Sequence, residues 1–270
     1  MKVLAIDLDG TLLHTDKTLS NLTRQTIIHA QEQGVKVAIA SGRPLQGILP
    51  IAQALQLQQH GGMILAYNGA QIVDCTTGQL IHSQQLPSSA IPILYAQAKK
   101  NELEILTYHD RFIISEHCDH PYVQRSMKAN KLQPMEVDDF VSTAQVHDIY
   151  KCMIVGHPNR IQRLEPQLQE QMSHSVAVFR SEPFYLECVP LGIDKGVGLR
   201  HISDHLRIPL TDFIAFGDAL NDIPMLRSVG TGVAMANAHD TVKAVATAIT
   251  ATSDEDGVAQ FIQHHVIIKT

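Results

Sequence analysis

The sequence opens with MKVLAIDLDGTLL (residues 1–13), in which the apolar run 3–6 leads directly into Asp7 and Asp9. Such a run is typical of a strand buried on both faces, as in a parallel sheet. Ligands of open parallel sheets bind at the carboxyl ends of the strands, which is where Asp7 stands. Two carboxylates this close repel each other unless they share a proton or a cation. The stretch therefore predicts a buried strand that ends at a ligand site or, as is commoner for such a pair taken alone, in a solvated acidic turn. For a ligand site, Mg²⁺ is the expected cation because it binds one or two carboxylates plus water.

The same pattern of a buried strand and a following helix recurs in both halves of the chain. Further buried strands are predicted from the apolar runs at 35–40, 63–67, 213–216 and 232–235. Helices are predicted between them, for example after Ser20 and from Lys195. This alternation indicates an α/β fold with a doubly wound parallel sheet and right-handed crossovers.

The middle of the chain has a different character. Between about residues 90 and 189, helical patterns mix with strands that could pair antiparallel, such as EILTYH and FYLECV. QQLPSS and the segment Pro190–Gly192 have the composition of linkers. We therefore predict a core of residues 1–84 and 191–270 that is split by an inserted α+β module, residues 85–190.

The composition is that of a globular protein. The chain has 270 residues, of which 44% are hydrophobic, and a formal net charge of -6. This charge gives no electrostatic footprint for nucleic acid or an anionic membrane, and no apolar run approaches a membrane span. The four cysteines are scattered without CxxC pairs, so we expect reduced thiols in a cytoplasmic protein. The sequence does not predict the oligomeric state.

Three further stretches place polar residues at strand ends or helix starts. Ser41, Gly42 and Arg43 follow the strand 35–40, where a hydroxyl and a bare amide before a helix form an anion site. Lys195 begins a helix, where the macrodipole disfavours a cation unless it neutralises an anion. Taken alone, Ser41 could be a helix cap and Lys195 a surface residue.

The third stretch is AFGDALND (residues 215–222), which places Asp218 at a strand end in the same way as Asp7. Asp222 lies about one helical turn further on, so the two carboxylates can share a face. Asp218 could also be a helix cap. Each of these stretches alone is a weak indication of function, whereas the joint occurrence of all four, in this order, is a strong one.

This combination resembles the haloacid dehalogenase superfamily of phosphohydrolases. The motifs that carry the resemblance are DLDGT (7–11), Ser41–Arg43, Lys195 and GDALND (217–222), together with YNGA (67–70), GVAMANA (232–238) and SDEDGVAQFI (253–262). The insertion is similar to the large α/β, C2-type cap of the Cof-type branch. The resemblance implies a Rossmann-like catalytic core, residues 1–84 and 191–270, with an inserted α+β cap domain, residues 85–190.

The resemblance also implies a Mg²⁺-dependent phosphatase that cleaves small phosphomonoesters. Sugar phosphates are the first class that we expect, followed by pyridoxal phosphate or a nucleotide-type ester. Asp7 would be the nucleophile that forms an aspartyl-phosphate, and Asp9 the general acid and base.

The metal would be held by Asp7, Asp218 and the backbone carbonyl of Asp9, and Asp222 would order a metal-bound water or Lys195. The phosphoryl oxygens would be bound by Ser41, the Gly42 amide, Lys195 and Asn221.

Arg43, Asn68 and Glu187 are candidates for contact with the rest of the substrate, and each is equally plausible as a structural polar residue.

Three other functions fit the same motifs. The protein could be a signalling acceptor that keeps a phosphate on Asp7, a phosphosugar mutase, or a ligand-binding protein on a retired enzyme scaffold. Asp9 argues against the first, because it supplies a base that destroys the phosphoenzyme.

Overall fold

The computed structural model of the protein describes residues 2–267. The strands are β1 (Val3–Ile6), β2 (Lys36–Ala40), β3 (Met63–Ala66), β4 (Gln71–Asp74), β5 (Leu80–Ser83), β6 (Glu104–His109), β7 (Phe112–Ser115), β8 (Gln133–Glu136), β9 (Cys152–Val155), β10 (Val176–Glu182), β11 (Tyr185–Pro190), β12 (Phe213–Gly217), β13 (Thr231–Met235) and β14 (Ala248–Thr250). The α-helices are α1 (Asn21–Glu32), α2 (Leu45–Ala54), α3 (Leu57–His60), α4 (Ala90–Lys100), α5 (Pro121–Asn130), α6 (Phe140–Gln145), α7 (Pro158–Met172), α8 (Lys195–Leu206), α9 (Ile223–Ser228), α10 (Asp240–Lys243) and α11 (Gly257–His265). Short 3-10 turns lie at Tyr67–Gly69, Leu210–Asp212, Leu220–Asp222 and Ser253–Glu255.

The chain divides into two compact units. The core unit comprises Met1–Arg43, Ile48–Ser83 and Asp194–Thr270, and the insert unit comprises Pro44–Gly47 and Gln84–Ile193.

The core unit is built on an eight-stranded sheet in the order β14-β13-β12-β1-β2-β3-β4-β5. The six strands from β14 to β3 are parallel, and β4 and β5 continue the sheet antiparallel. β1 is central, and all four of its residues are fully buried, as its continuous apolar run predicts. The predicted α/β class with a parallel sheet core is confirmed.

The first helix of the core unit begins where the sequence predicts it, directly after Ser20. The Ser20 side chain accepts a hydrogen bond from the backbone N–H of Thr23, which caps α1. Strands β5 and β14 have no counterpart in the predictions, because both are short and only partly buried. An apolar-run criterion detects strands covered on both faces and does not detect such edge strands.

The insert unit contains a six-stranded sheet in the order β10-β11-β9-β6-β7-β8. Its pairs are antiparallel except for β7 and β8. Helix α7 begins with Pro158 at its first position and buries one apolar stripe, Ile161, Leu164, Leu168 and Met172, whose spacing follows the helical period. The apolar core of the unit includes Leu94 of α4, Phe140 of α6 and Ile154 of β9.

All four cysteines carry free thiols. Among the residues that the structure describes, no helix combines the length and the apolar character needed to cross a membrane.

Candidate active site

The candidate site lies at the carboxyl ends of three adjacent strands of the core unit. β12, β1 and β2 are neighbours in the sheet, and Asp218, Asp7 and Ser41 are the residues that follow them. The backbone N–H of Asp7 donates to the carbonyl of Phe216 at 3.1 Å, which ties β1 to β12 where the site begins. The structure thus brings together three residues that are separated in the sequence, at the edge where parallel sheets bind ligands.

Lys195 is the first residue of α8, and its side chain is fully buried. Its Nζ atom lies 2.5 Å from Asp7 Oδ1 and 2.5 Å from Asp222 Oδ1. Burial lowers the pKa of the lysine, but the carboxylates of Asp222 and Asp7 outweigh burial and raise the pKa above its ordinary value. The ammonium is therefore charged and joins the first strand to the loop after β12.

The loop after β12 is shaped by Asp222. Its Oδ2 atom accepts hydrogen bonds from the backbone N–H groups of Asp218 and Ala219, both at 3.0 Å. Gly217 permits this approach, because a Cβ atom there would lie 2.5 Å from Asp222 Cβ. Asp222 is fully buried. One of its oxygens contacts Lys195, and the other accepts the hydrogen bonds that hold the Asp218 loop.

Asp218 is held from the other side by the turn after β1. The Thr11 hydroxyl donates to Asp218 Oδ1 at 2.8 Å. Gly10 has a left-handed backbone, φ +86°, and a Cβ atom at Gly10 would overlap the Asp218 carboxylate. The glycine of DLDGT therefore lets the carboxylate of Asp218 lie against the backbone that follows Asp7.

Three carboxylates gather around this point. Oxygen atoms of Asp7, Asp218 and Asp222 all lie within 4.8 Å of one another. Burial, followed by repulsion from Asp222 and Asp218, raises the pKa of Asp7 to about 8, although Lys195 opposes the shift. Burial, with repulsion from Asp222, also raises the pKa of Asp218 to about 6. A divalent cation would relieve this repulsion, and a set of carboxylate oxygens is what Mg²⁺ binds. The donor set therefore fits such an ion.

Asp9 faces a different environment from Asp7. Its carboxylate is held bidentately by Arg43, with Nη2 at 2.6 Å from Oδ1 and Nε at 2.7 Å from Oδ2. Lys17 Nζ approaches the same Oδ1 atom at 2.9 Å. Burial alone would raise the pKa of Asp9, but the hydrogen bonds and charges of Arg43 and Lys17 lower it. Arg43, predicted as a substrate contact, is thus placed on Asp9 in the structure.

The loop after β2 is joined to the YNG turn by two backbone hydrogen bonds. The N–H of Asn68 donates to the Ser41 carbonyl at 2.9 Å, and the N–H of Tyr67 to the Arg43 carbonyl at 3.0 Å. Tyr67 and Asn68 both have left-handed backbones, with φ values of 51° and 57°, which is unfavourable for residues other than glycine. Strain of this kind persists where surrounding contacts impose it, and functional sites are such places.

Asn68 also links two of the predicted phosphate-binding segments. Its Oδ1 atom accepts a hydrogen bond from Asn221 Nδ2 at 3.0 Å. A Cβ atom at Gly42 would lie 3.3 Å from the Asn68 amide, so the Asn68 side chain covers this part of the loop. Ser41 is buried, and its hydroxyl accepts from the N–H of Arg43 at 3.2 Å.

Glu187 is the predicted site residue that lies outside the core unit. It stands on β11 of the insert unit and is buried, with Oε2 at 3.1 Å from Lys151 Nζ. Lys151 also lies over the Tyr108 ring, 5.4 Å from its centroid. The predicted substrate contact of Glu187 stays a prediction.

Two features of the site have no counterpart in the sequence predictions. Lys17 does not belong to any of the motifs, because its approach to Asp9 depends on a turn that brings its side chain back towards Asp9. Thr11 belongs to the quoted DLDGT motif, yet its bond to Asp218 depends on the sheet bringing β1 and β12 together.

Comparison with known proteins identifies the family of the chain. The family model described as haloacid dehalogenase-like hydrolase matches residues 4–262. The pyridoxal phosphate phosphatase of Escherichia coli (strain K12) is 30% identical over 278 residues, which cover 98% of this chain and 99% of that protein. A 5-amino-6-(5-phospho-D-ribitylamino)uracil phosphatase of Bacillus subtilis (strain 168) is 29% identical over 267 residues, which cover 99% of this chain and 96% of that protein.

Solved structures agree with the family model. The crystal structure of a haloacid dehalogenase-like hydrolase from Bacteroides thetaiotaomicron matches with a TM-score of 0.94 and 40% sequence identity, over 97% of this chain and 98% of that chain. The structure of a protein from Thermotoga maritima matches with a TM-score of 0.85 and 27% identity, over 100% of this chain and 98% of that chain. The chain therefore belongs to the haloacid dehalogenase-like hydrolases.

Proposed function

We propose that the protein is a Mg²⁺-dependent phosphatase that hydrolyses small phosphomonoesters through an aspartyl-phosphate on Asp7. The observation that carries the proposal is the cluster in which oxygens of Asp7, Asp218 and Asp222 lie within 4.8 Å of one another while Lys195 touches two of them. This arrangement concentrates negative charge at one strand end and supplies one fixed ammonium. It suits the binding of a cation together with a phosphoryl group, whose transfer depends on positioning and charge neutralisation.

The proposed metal ligands are Asp7, Asp218 and the backbone carbonyl of Asp9. When bound, Mg²⁺ neutralises charge on the phosphoryl oxygens. Asp222 supports the site indirectly, because its two oxygens hold Lys195 and the N–H groups of the Asp218 loop. Two supports for this assignment are the donor chemistry and the bond from Thr11 that orients Asp218.

Asp7 is the proposed nucleophile. Its carboxylate oxygen attacks phosphorus, the ester P–O bond breaks, and the departing alkoxide takes a proton from the carboxyl group of Asp9. In the second step a water molecule gives a proton to the Asp9 carboxylate and attacks the phosphoryl group, which frees Asp7 and releases inorganic phosphate. The division of roles is supported by burial: Asp7 is held against the sheet and Lys195, whereas the side chain of Asp9 is 37% exposed.

The proposed phosphate-binding groups are Ser41, the Gly42 amide, Lys195 and Asn221. Asn68 supports two of them, since it accepts from Asn221 and lies against Gly42. Hydrogen-bond donors that are fixed before the reaction stabilise developing charge without reorganisation.

The substrate is proposed to be a small phosphorylated metabolite, with sugar phosphates as the first class to test. Relatives are named for pyridoxal phosphate, for a phosphorylated ribitylaminouracil and for HMP-PP, so the shared group is the phosphate and the remainder varies. Because the core residues address the phosphate, we propose that residues 85–190 act as a cap domain that selects the leaving group, with Glu187 as one candidate. A cytoplasmic location stays a prediction.

The test is release of inorganic phosphate from a panel of sugar phosphates, pyridoxal 5′-phosphate and nucleoside monophosphates, with Mg²⁺ and with EDTA. We expect release in Mg²⁺ from at least one compound and its loss in EDTA. Transfer of phosphate to another hydroxyl without release would indicate the phosphosugar mutase. A phosphoenzyme that persists without turnover would indicate the signalling acceptor.

A further inference from the structure

Asp9 shares one of its oxygens between two cations. Arg43 grips both carboxylate oxygens, and Lys17 Nζ reaches Oδ1 at 2.9 Å. The Lys17 side chain is 59% exposed, so its ion pair contributes little to the stability of the fold. A surface lysine held on a proposed catalytic carboxylate requires an explanation other than stability.

A tight turn of residues 14–18 delivers Lys17 to Asp9. The N–H of His14 donates to the Thr18 carbonyl at 3.0 Å, and the N–H of Lys17 to the His14 carbonyl at 2.9 Å. Lys17 itself has a left-handed backbone, with φ 67°, which is sterically unfavourable for a lysine. The chain therefore holds this lysine in a strained conformation that places its ammonium on Asp9.

The turn of residues 14–18 is held by hydrogen bonds to the SDED segment (residues 253–256), near the C-terminal end of the core unit. Asp254 accepts from the N–H of Thr15 at 2.7 Å and from its hydroxyl at 2.6 Å. Asp256 lies 3.2 Å from His14 Nε2, accepts from the Thr23 hydroxyl at 2.9 Å, and also contacts Ser20. The SDED segment thus connects to both ends of the region that carries Lys17.

We propose that Lys17 is a positioning residue for Asp9, and that Asp254 serves the reaction by fixing the turn that carries it. Arg43 and Lys17 meet at Oδ1, so a rotation of the carboxylate breaks contacts to both. The pair thereby holds Asp9 in one orientation on its exposed side, where a leaving group would arrive. This inference rests on the proposed role of Asp9 as the general acid.

The first experiment compares two substrates whose leaving groups differ in their need for a proton. A sugar alkoxide needs a proton from Asp9 when it departs, whereas p-nitrophenolate is stable without one. We expect Lys17→Met, through the lost orientation of Asp9, to lower kcat/KM by about threefold to tenfold for the sugar phosphate of the panel that the wild-type protein hydrolyses best. It should leave kcat/KM for p-nitrophenyl phosphate within twofold. A role of Lys17 through its charge alone would act in the opposite direction, because the ammonium favours the charged form of Asp9 over the form that donates a proton. Lys17→Arg, which keeps the charge, should recover most of the loss. Lys100→Met, at an exposed lysine of α4, is the matched control and should change neither substrate.

The second experiment tests the connection between the two segments. Asp254→Ala should cause a smaller loss of the same kind, and in the Lys17→Met background it should cause none, because it acts through Lys17. The control is Asp139→Ala, which removes an exposed aspartate that accepts from the N–H and hydroxyl of Ser142 as Asp254 does from Thr15.

The outcomes separate this inference from the proposed function. Equal losses on both esters, full activity of Lys17→Met, or additive effects of Lys17→Met and Asp254→Ala would overturn the positioning role while Asp7→Asn is still inactive. Hydrolysis of no compound in the panel by the wild-type protein, or full activity of Asp7→Asn, would overturn the proposed function itself.

Discussion

Each compact unit of the protein buries one lysine among residues 2–267, and the two lysines differ in the charge around them. Lys195 in the core unit is fully buried and touches Asp7 and Asp222, with Asp218 completing the acidic cluster. Lys151 in the insert unit is 4% exposed and pairs with Glu187. One ammonium therefore faces three carboxylates in the core unit, whereas in the insert unit an ion pair neutralises itself.

We interpret this difference as the distinction between a site with a function and an ion pair with a structural role. A buried ion pair with matched charges is often replaceable by apolar side chains at little cost in stability. An acidic excess in a buried position opposes folding unless something neutralises it, and such an excess is retained where a function requires it. The imbalance around Lys195 is what we interpret as the binding site for a cation and a phosphoryl group.

The largest expected effect comes from removing the nucleophile. Asp7→Asn keeps the size of the side chain and removes one carboxylate of the cluster. We expect turnover to fall by more than about 10⁴-fold, since loss of a nucleophile removes the covalent route. The melting temperature should stay close to that of the wild-type protein, because Lys195 keeps its bond to Asp222. Steady-state phosphate release and thermal unfolding of the same sample check both parts.

Lys195→Met should affect both activity and stability. It leaves Asp7 and Asp222 buried without their ammonium, so we expect the free energy of unfolding to fall by about 3–5 kcal/mol. Activity should fall by about 10²–10³-fold, the scale for one preorganised charge-stabilising group. Denaturant unfolding and phosphate release measure the two effects. A variant with full activity would show that Lys195 has no part in the reaction.

The matched pair in the insert unit sharpens the comparison. Lys151→Met leaves Glu187 as an uncompensated buried carboxylate and should also cost about 3–5 kcal/mol in the free energy of unfolding. In Lys151→Met/Glu187→Leu, most of this loss should be recovered because no buried charge is left over. In Lys195→Met/Asp222→Asn, stability should stay well below wild type, since Asp7 and Asp218 still repel each other. Equal recovery in both double variants would contradict the contrast between the sites.

The smallest expected effect is stabilisation by the metal ion. At a Mg²⁺ concentration about 100 times its Kd, binding adds about 2.7 kcal/mol to the free energy of unfolding. For a protein of this size the melting temperature should rise by about 5–10 °C. The rise should nearly vanish in Asp218→Asn and persist in a control, Asp119→Asn, at an exposed aspartate of the insert unit. An undiminished rise in Asp218→Asn would place the ion elsewhere.

The sequence predicts the centre of the core unit and the residues of the acidic cluster. Strands buried on both faces leave continuous apolar runs, and residues that follow parallel strands meet at one edge, so Asp7, Ser41 and Asp218 could be placed together before the fold was known. Lys195 could be placed at a helix start from the helical pattern that begins there. These are properties of local pattern combined with sheet topology.

Other features of the site depend on tertiary contacts that no local pattern encodes. Lys17 reaches Asp9 because Asp254, which is 239 positions from Thr15 in sequence, fixes the intervening turn. The strained backbone of Asn68 is imposed by contacts with the loop after β2. The assignment of Arg43 to Asp9 likewise depends on side-chain geometry rather than on spacing.

The most direct test of the central claim is to map the phosphorylated residue. The wild-type protein is mixed with substrate and Mg²⁺, quenched in acid within the first turnover, digested and analysed by mass spectrometry. The charge imbalance around Lys195 predicts one added phosphoryl group on the peptide that contains Asp7, labile to hydroxylamine and absent from Asp7→Asn. Single-turnover phosphate release with no phosphorylated Asp7 at any quench time, or a phosphoryl group on another residue, would contradict the account.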